Sequence, residues 1–309
     1  MNDLVAIVGP TAIGKSRLAL KLAQVFDGEI VGADSRQVYR HLDIGTAKPG
    51  REDMARVCHH LIDIINPDEP FNLAQYQELA AAAIDGITRR QRLPLLVGGS
   101  GQYIWALLEG WGIPRVAPNP GLRQDLEERA AANGGDELFR ELWKADPAAA
   151  GRIDPRNVRR VIRALEVSQD PQASADRQRQ KHEPTFRSLI IGLTIDRDQL
   201  YQRIDARVDA MLERGLVAEV EKLLGMGYSS SLPALSGIGY KQIGQYLAGN
   251  ITLETAMQQM KFESHRFVRQ QYNWFNLKDD RIKWFDVRQP RAGEEIAALI
   301  AEFSGRRLE

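Results

Sequence analysis

A glycine-rich loop near the start of the chain, between an apolar run and a helical pattern, constrains the fold most. Leu4 to Val8 predicts a short strand. After the loop, apolar residues recur at helical spacing, at Leu18, Ala19, Leu22, Ala23 and Phe26. The loop matches the pattern G-x-x-x-x-G-K-[ST], in which backbone N–H groups surround phosphate oxygens at the positive end of a helix. The sequence therefore predicts a phosphate-binding loop formed by Gly9, Pro10, Thr11, Ala12, Ile13, Gly14, Lys15 and Ser16.

The last two residues of this loop carry its chemistry. Lys15 would reach the terminal phosphate, and the hydroxyl of Ser16 would be offered to Mg²⁺. The alternative is an ordinary glycine-rich turn in which Lys15 is a solvated surface charge. The position of the loop, after a predicted strand and at the start of a predicted helix, favours phosphate binding.

Four further apolar runs predict strands, at Glu29 to Ala33, Leu93 to Val97, Ser188 to Ile195 and Ile282 to Val287. Strands that alternate with helical patterns are typical of an α/β fold, here a P-loop parallel-sheet core with helices on both faces. In such sheets ligands gather at the carboxyl ends of the strands. We therefore expect Gly9, Asp34 and Ser100 to emerge at one edge of the sheet.

The acidic residues near the loop distinguish classes of phosphate chemistry. Leu93 to Val97 is followed by two glycines and Ser100, where a nucleoside triphosphatase would carry a Walker-B aspartate. Asp34, at the end of the second strand, could face the phosphate loop as a base. Two alternatives stay open: Asp34 or Ser35 could cap a helix, and Ser100 could be a turn hydroxyl or an active-site donor. These residues alone indicate a phosphate-handling transferase.

Composition changes after Trp111, where prolines interrupt the chain and polar helical patterns replace strand signals. These patterns cover Arg123 to Ala132, Glu137 to Lys144 and Val158 to Val167. We predict an inserted, mainly helical domain at residues 116–185, within a core of residues 1–115 and 186–309. Helical patterns also dominate the end of the core, over Leu200 to Leu224, Tyr240 to Leu247 and Leu253 to Trp274.

Charge and cysteine content limit the partners. Lys+Arg and Asp+Glu are 41 each, so any nucleic-acid site must be a local basic patch. The single cysteine, Cys58, cannot pair within the chain or build a cysteine-rich metal site, and it suits a reducing compartment. The apolar run at the N-terminus is too short to cross a membrane. We expect a cytoplasmic monomer with no membrane partner.

Several longer motifs resemble those of the bacterial tRNA dimethylallyltransferases, also called tRNA isopentenyltransferases. The most specific are Ala33-Asp-Ser-Arg-Gln-Val-Tyr39 and Leu42-Asp-Ile-Gly-Thr-Ala-Lys-Pro49, which follow the phosphate loop. Further matching segments are spread over nearly the whole chain, at Val97–Tyr103, Arg160–Val167, Arg207–Leu212, Gly215–Val220, Gly239–Gln242 and Arg266–Trp274.

The resemblance implies transfer of a dimethylallyl group from dimethylallyl diphosphate to N6 of the adenine just 3′ of the anticodon. The loop would then hold a diphosphate leaving group, with Mg²⁺ at Ser16, and no Walker-B carboxylate is needed. Asp34 is the implied general base. Ser100, where the family usually has threonine, is implied to contact the reacting groups, and Arg207 to assist the diphosphate. The alternative for Arg207 is a solvated helix face.

The resemblance also implies residues that bind tRNA. The flipped adenine would be recognised by Asp34, Ser35, Arg36, Gln37 and Ser100. The helical insertion would contact phosphates through Arg123, Arg159, Arg160, Val161, Ile162 and Arg163, with further basic residues up to Arg187. Further contacts would come from Gly239, Tyr240, Lys241, Arg266, Arg269 and Gln270. Each arginine could instead be a solvated charge, and Tyr240, Phe267 and Trp274 could be core residues.

Two other classes of function remain open at this point. One is a P-loop kinase of a small metabolite, with Asp34 as the base toward a hydroxyl group. The other is an RNA-binding module with an inactive nucleotide fold, which the intact Gly14-Lys15-Ser16 segment disfavours. An arginine-rich helical insertion is large for a metabolite lid and suits an anticodon arm, so it favours the tRNA-modifying enzyme.

Overall fold

A computed structural model describes residues 2–114, 116, 119–169 and 186–307. The chain divides into two compact units, one formed by Met1–Glu109 with Pro184–Glu309 and the other by Gly110–Glu183. The second unit overlaps most of the predicted helical insertion, residues 116–185, but begins six residues earlier and ends two residues earlier.

The larger unit contains one six-stranded sheet in which every neighbouring pair is parallel. Its strands are β1 (Asn2–Val8), β2 (Gly28–Ala33), β3 (His59–His60), β4 (Leu93–Gly98), β5 (Phe186–Thr194) and β6 (Ile282–Asp286). The strand order is β3-β2-β4-β1-β5-β6. All five predicted strands are present, with ends that differ by one or two residues. The two-residue strand β3 is an addition to the predicted strands.

Helices separate and follow these strands. The first four are α1 (Lys15–Val25), α2 (Arg51–Arg56), α3 (Leu73–Arg89) and α4 (Gly101–Leu108). After β5 come α9 (Arg197–Glu213), α10 (Leu216–Gly225), a 3₁₀ turn (Pro233–Ser236), α11 (Tyr240–Leu247), α12 (Leu253–Trp274) and, after β6, α13 (Ala292–Ser304). Leu4 to Val8 of β1 are fully buried, as expected for a parallel strand covered on both faces of its sheet.

The predicted single helix from Leu200 to Leu224 is wrong, because the chain forms two helices there. Gly215 separates them in a left-handed conformation, with φ +94°. This conformation is accessible to glycine without the steric cost that a Cβ would bring. The break lets the chain change direction between α9 and α10, and both helices contribute to one apolar cluster, in which Val208, Leu216 and Val220 are buried.

The smaller unit is a helical bundle formed by α5 (Pro120–Asn133), α6 (Gly135–Ala145), α7 (Pro147–Ala150) and α8 (Val158–Ser168). Its helices enclose a small apolar core that includes Leu126, Leu138, Leu142, Val161, Ile162 and Leu165. In the described ranges of both units, every helix is too short or too polar to cross a membrane.

Candidate active site and nucleic-acid interface

The phosphate loop connects β1 to α1 and has the backbone conformation that its glycines predict. Gly9 has φ +138°, and a Cβ there would lie 2.6 Å from the carbonyl oxygen of Leu193, so only glycine fits. Gly14 has φ +104° immediately before α1. Ser16 lies exposed in the first turn of that helix. The N–H groups at this helix start therefore point to a position where an anion is stabilised.

Lys15 is half-buried and lies against the loop rather than in solvent. Its Nζ donates to the carbonyl oxygens of Gly9 and Pro10, at 2.9 and 2.8 Å. Burial, and to a smaller extent the positive charge of Arg207, lower the pKa of Lys15 to about 7, an effect that Asp34 partly offsets. The solvated-charge alternative is therefore wrong.

Asp34 and Ser100 follow β2 and β4, as predicted, and adjoin each other at the edge of the sheet. The Oδ1 of Asp34 accepts the N–H of Arg36 at 2.8 Å. The Oγ of Ser100 accepts the N–H of Ser35 at 3.1 Å, and the N–H of Ser100 donates to the carbonyl of Ala33. Residues 34–50 contain no helix, so the interpretation of Asp34 or Ser35 as a helix cap is wrong.

A cavity of about 300 Å³ lies over these residues within the larger unit. Thr11 of the phosphate loop, Asp34, Ser100 and Arg207 all line it. Arg207, on α9, is half-buried, and burial lowers its pKa while Asp34 partly offsets that effect. The solvated-face alternative for Arg207 is therefore wrong. The structure brings the three predicted catalytic residues to one cavity, beside the phosphate loop.

Gln271, which is not among the predicted site residues, connects the phosphate loop to the segment that follows β4. Its Oε1 accepts the N–H of Thr11 at 2.8 Å, and its Nε2 donates to the carbonyl of Gly99 at 3.0 Å. The side chain is buried, whereas that of the predicted Gln270 is exposed. The sequence signal for Gln271 was a polar residue on the face of α12 that also carries the buried Met260 and Val268.

Gln271→Leu should lower the free energy of unfolding by about 1–3 kcal/mol, because it leaves the buried N–H of Thr11 and the carbonyl of Gly99 without their partner. Denaturant unfolding measures this change. Gln270→Leu, at the exposed neighbouring position, is the matched control and should change stability little. Equal effects of the two substitutions would contradict the bridging role.

Glu219 of α10, also missed, holds the loop between β2 and α2. Its carboxylate accepts the backbone N–H groups of Asp43, Ile44 and Gly45, and also the hydroxyl of Tyr240 at 2.7 Å. Tyr240, predicted to contact tRNA, is buried, and its ring packs where a Cβ on Gly45 would lie. The core alternative is correct for Tyr240, since its side chain supports the cavity wall that Gly45 forms.

The side chains of Arg36 and Gln37 are also bound within the protein. The guanidinium of Arg36 donates to the carbonyls of Pro233 and Ala234 and to the Oγ of Ser236. The amide of Gln37 donates to the carbonyl of Thr46 at 3.1 Å and to that of Ala47. Both residues therefore hold segments around the cavity together, and Arg36 itself lines it.

In the helical unit, some of the predicted tRNA contacts are structural. Val161 and Ile162 are buried in its core, which corrects the expectation that their side chains contact RNA. Arg123 and Arg163 both pair with the buried Glu166, at 2.9 and 2.5 Å. Four donors converge on this carboxylate, including the N–H of Asn119. Burial alone would raise the pKa of Glu166, but these hydrogen bonds outweigh it, so the pKa is lowered overall. These arginines position α5 and α8.

Arg159 and Arg160 differ from these two arginines. Both are exposed at the start of α8, and within the described part of the chain neither guanidinium has a hydrogen-bond or ion-pair partner. Arg187, expected in the same basic patch, instead pairs with Asp3 across β1 and β5. Arg177 and the rest of the predicted basic loop lie outside the described residues.

Exposed basic and aromatic side chains also line α12. Arg266, Arg269 and Gln270 are exposed, as are Phe267 and Trp274, at 39% and 37%. The core alternative is therefore wrong for Phe267, whereas Trp274 is partly covered, because its side chain packs against Gly101 of α4. Arg269 donates to the hydroxyl of Tyr201 at 3.2 Å. Near α12, Lys241 is exposed in the first turn of α11, after Gly239 with φ +97°.

Sequence comparison identifies the same family that the sequence motifs resemble. Residues 37–278 match the family model described as IPP transferase, and residues 2–64 match that described as isopentenyl transferase. The tRNA dimethylallyltransferase of Dehalococcoides mccartyi is 50% identical over 303 residues, which cover 98% of this chain and 92% of the relative. That of Roseiflexus castenholzii is 53% identical over 275 residues, covering 89% and 90%.

Solved structures of similar fold carry related names. The full-length tRNA isopentenylpyrophosphate transferase of Bacillus halodurans has a TM-score of 0.73 and 41% identity, covering 98% of this chain and 97% of that one. A eukaryotic dimethylallyltransferase acting on tRNA has a TM-score of 0.82 and 26% identity, covering 100% and 81%. By family match, identity and fold, this chain belongs to the IPP transferase family of tRNA dimethylallyltransferases.

Proposed function

We propose that this chain transfers the dimethylallyl group of dimethylallyl diphosphate to N6 of the adenine 3′ of the anticodon in tRNA. The observation that carries the proposal is a single cavity that Thr11 of the phosphate loop, Asp34, Ser100 and Arg207 all line. An allylic diphosphate and an adenine amine can meet there, between a cationic end and a carboxylate.

The cationic end would bind the diphosphate. Lys15 has three N–H donors and uses two of them on the carbonyls of Gly9 and Pro10, which leaves one for a phosphate oxygen. Arg207 lies near enough to lower the pKa of Lys15, so the two cations serve the same region. Their charges would stabilise the negative charge that develops on the diphosphate as the allylic C–O bond breaks.

Mg²⁺ would bind at Ser16, beside the diphosphate. The hydroxyl of Ser16 is exposed in the first turn of α1, beside the N–H groups that would surround the phosphates. Mg²⁺ usually keeps several waters and binds through substrate phosphates and few protein ligands, so one hydroxyl suffices. When bound, it would supply further neutralisation of the leaving group.

The other end of the cavity would act on the adenine. The hydrogen bond from Arg36 to Oδ1 fixes the Asp34 carboxylate, and among the described residues Oδ2 has no donor. As the N6–carbon bond forms, an N6 proton would pass to Asp34, while the C–O bonding electrons leave with the diphosphate. Ser100, whose Oγ accepts the N–H of Ser35, keeps its own O–H to donate to the reacting groups.

A P-loop kinase is the remaining alternative chemistry for these residues. It would need a nucleoside triphosphate at Lys15 and a small hydroxyl substrate at Asp34. The family membership of the chain favours prenyl transfer, and the two activities are separated by supplying dimethylallyl diphosphate or ATP with each acceptor. A monomer acting on tRNA in the cytoplasm is part of the proposal, and gel filtration tests the oligomeric state.

For tRNA binding, replacing Arg159 and Arg160 by alanine should weaken affinity and flatten its salt dependence. Each lost phosphate contact should reduce the slope of log affinity against log salt by roughly 0.7–0.9, because fewer counterions are released. Filter binding at several salt concentrations measures both quantities. Arg89→Ala/Arg307→Ala is the matched control, since both residues are exposed and neither lines the cavity. An unchanged slope in the Arg159/Arg160 variant would contradict the phosphate-contact role.

Diphosphate binding should be coupled to proton uptake at pH 8. The pKa of Lys15 is about 7, so at pH 8 the amine is mostly neutral, and a bound diphosphate should restore its proton by favouring the charged form. At pH 6 the amine already carries this proton, so the contribution of Lys15 should vanish. Calorimetry with inorganic diphosphate, in buffers of different ionisation enthalpy, measures the uptake. On binding diphosphate at pH 8, Lys15→Met should take up about one proton fewer than the wild type. Equal uptake by the two proteins would contradict the assignment of Lys15 to diphosphate binding.

A further inference from the structure

A second cluster of reactive side chains lies at the other end of the sheet. Glu29 is the second residue of β2, whereas Asp34 follows its last residue, so Glu29 lies near the amino ends of the strands. His60, on the edge strand β3, pairs in register with Val31. Cys58 immediately precedes that strand and is exposed.

These three side chains offer one donor atom each within a small volume. The Nε2 of His60 lies 2.6 Å from the Oε2 of Glu29 and 3.6 Å from the Sγ of Cys58. All three donor atoms lie within 4.8 Å of one another. Ligands around a tetrahedral Zn²⁺, at about 2.0–2.3 Å from the metal, are separated by roughly 3.5 Å. The cluster therefore needs adjustments of only about 1 Å to enclose such an ion.

The surroundings of Glu29 suit a metal ligand. Its Oε1 accepts the Nε of Arg90 and the Nη1 of Arg92, at 3.0 and 3.3 Å, which fixes the carboxylate. Its Oε2 faces His60 and one further N–H of Arg90. A cation at Oε2 would displace these two donors and leave both bonds to Oε1 in place as supporting contacts. Both arginine side chains are nearly half exposed, so solvent weakens their repulsion of a cation.

We propose that Glu29, Cys58 and His60 form a binding site for a thiophilic divalent cation, Zn²⁺. Thiolate, imidazole and carboxylate are zinc ligands, whereas Mg²⁺ prefers oxygen alone, so this site is distinct from the one at Ser16. On binding, the thiol proton of Cys58 passes to solvent, and the neutral imidazole of His60 binds through Nε2 with its ring proton on Nδ1. The fourth position faces solvent beside Cys58. The ion would fix edge strand β3 to β2.

The test is metal binding by the purified full-length chain. Zn²⁺ titration should give one tight equivalent, and Co²⁺ should give the absorption of a thiolate complex. Cys58→Ser and His60→Ala should weaken Zn²⁺ binding at least tenfold and abolish the thiolate absorption. His59→Ala is the matched control, because the Nδ1 of His59 faces the carbonyl of Val57 at 2.8 Å instead of the cluster.

Stability gives a second readout of the same site. Zn²⁺ should raise the unfolding temperature of the wild type and of His59→Ala, and not of Cys58→Ser, because a ligand that binds only the folded state stabilises it. Cys58 is exposed, so its replacement by serine should fold normally. Failure of the wild type to bind Zn²⁺, or equal affinity in Cys58→Ser, would overturn the proposal. Neither result would bear on prenyl transfer.

Discussion

Asp34→Ala should slow single-turnover transfer of the dimethylallyl group by roughly 10²- to 10⁴-fold, the usual effect of removing a general base. The adenine amine is a poor nucleophile because its lone pair is delocalised into the ring, so a base that accepts the N6 proton has a large effect. Diphosphate affinity should stay nearly unchanged, because Lys15 and the loop N–H groups remain. Rapid-quench measurement with excess enzyme isolates the chemical step.

A matched variant separates the base from the structural role of Asp34. Asp34→Asn keeps an oxygen that can accept the N–H of Arg36, as Oδ1 does at 2.8 Å, and removes the charge. It should therefore preserve the stability of the loop and lose activity to a similar extent as alanine. Transfer by Asp34→Asn within tenfold of the wild type would contradict the assignment of Asp34 as the base.

Lys15→Ala should weaken binding of dimethylallyl diphosphate and slow transfer together, lowering kcat/KM by about 10²-fold or more. The lysine charge meets the leaving group in both the bound substrate and the transition state, so both parameters should change. Removing one preorganised donor to a developing anion commonly reduces kcat by about 10²- to 10³-fold. Affinity for tRNA should hardly change, because the predicted phosphate contacts lie elsewhere.

Calorimetry with dimethylallyl diphosphate and steady-state kinetics test this prediction. Lys21→Ala is the matched control, since Lys21 lies on the same helix, α1, and is exposed. It should leave both affinity and rate unchanged. Diphosphate affinity equal to that of the wild type in Lys15→Ala would show that the loop is not the diphosphate site.

Much of the core was predictable because its signals are local. A parallel strand buried on both faces appears as a short apolar run, and the phosphate loop joins one such run to a helix. Helix α3 was not predicted, although its sequence carries local signals for a helix. Asn72 and Gln75 form a capping box, and Tyr76, Ala80 and Ile84 recur at helical spacing on its buried face. The break at Gly215 was missed because apolar residues continue at helical spacing on both sides of it.

The site was predictable where residues lie at strand ends, and less so where contacts come from distant parts of the chain. Asp34 and Ser100 follow strands, so the sheet brings them together. The roles of Gln271 and Glu219 depend on contacts more than 170 residues away in sequence, with Thr11 and with Asp43. Likewise, only the fold shows that Glu166 engages Arg123, which lies 43 residues away in sequence, whereas Arg159 has no such partner in the described ranges.

The most direct test of the central claim is incubation of the enzyme with labelled dimethylallyl diphosphate and unmodified tRNA, followed by nucleoside analysis. The account predicts that the label appears on N6 of one adenosine, next to the anticodon, with release of one diphosphate for each group transferred. Asp34→Asn and Lys15→Ala should each reduce this product sharply, whereas Lys21→Ala should not. Absence of label from tRNA, with ATP-dependent phosphorylation of a small hydroxyl compound instead, would contradict the account and indicate the kinase.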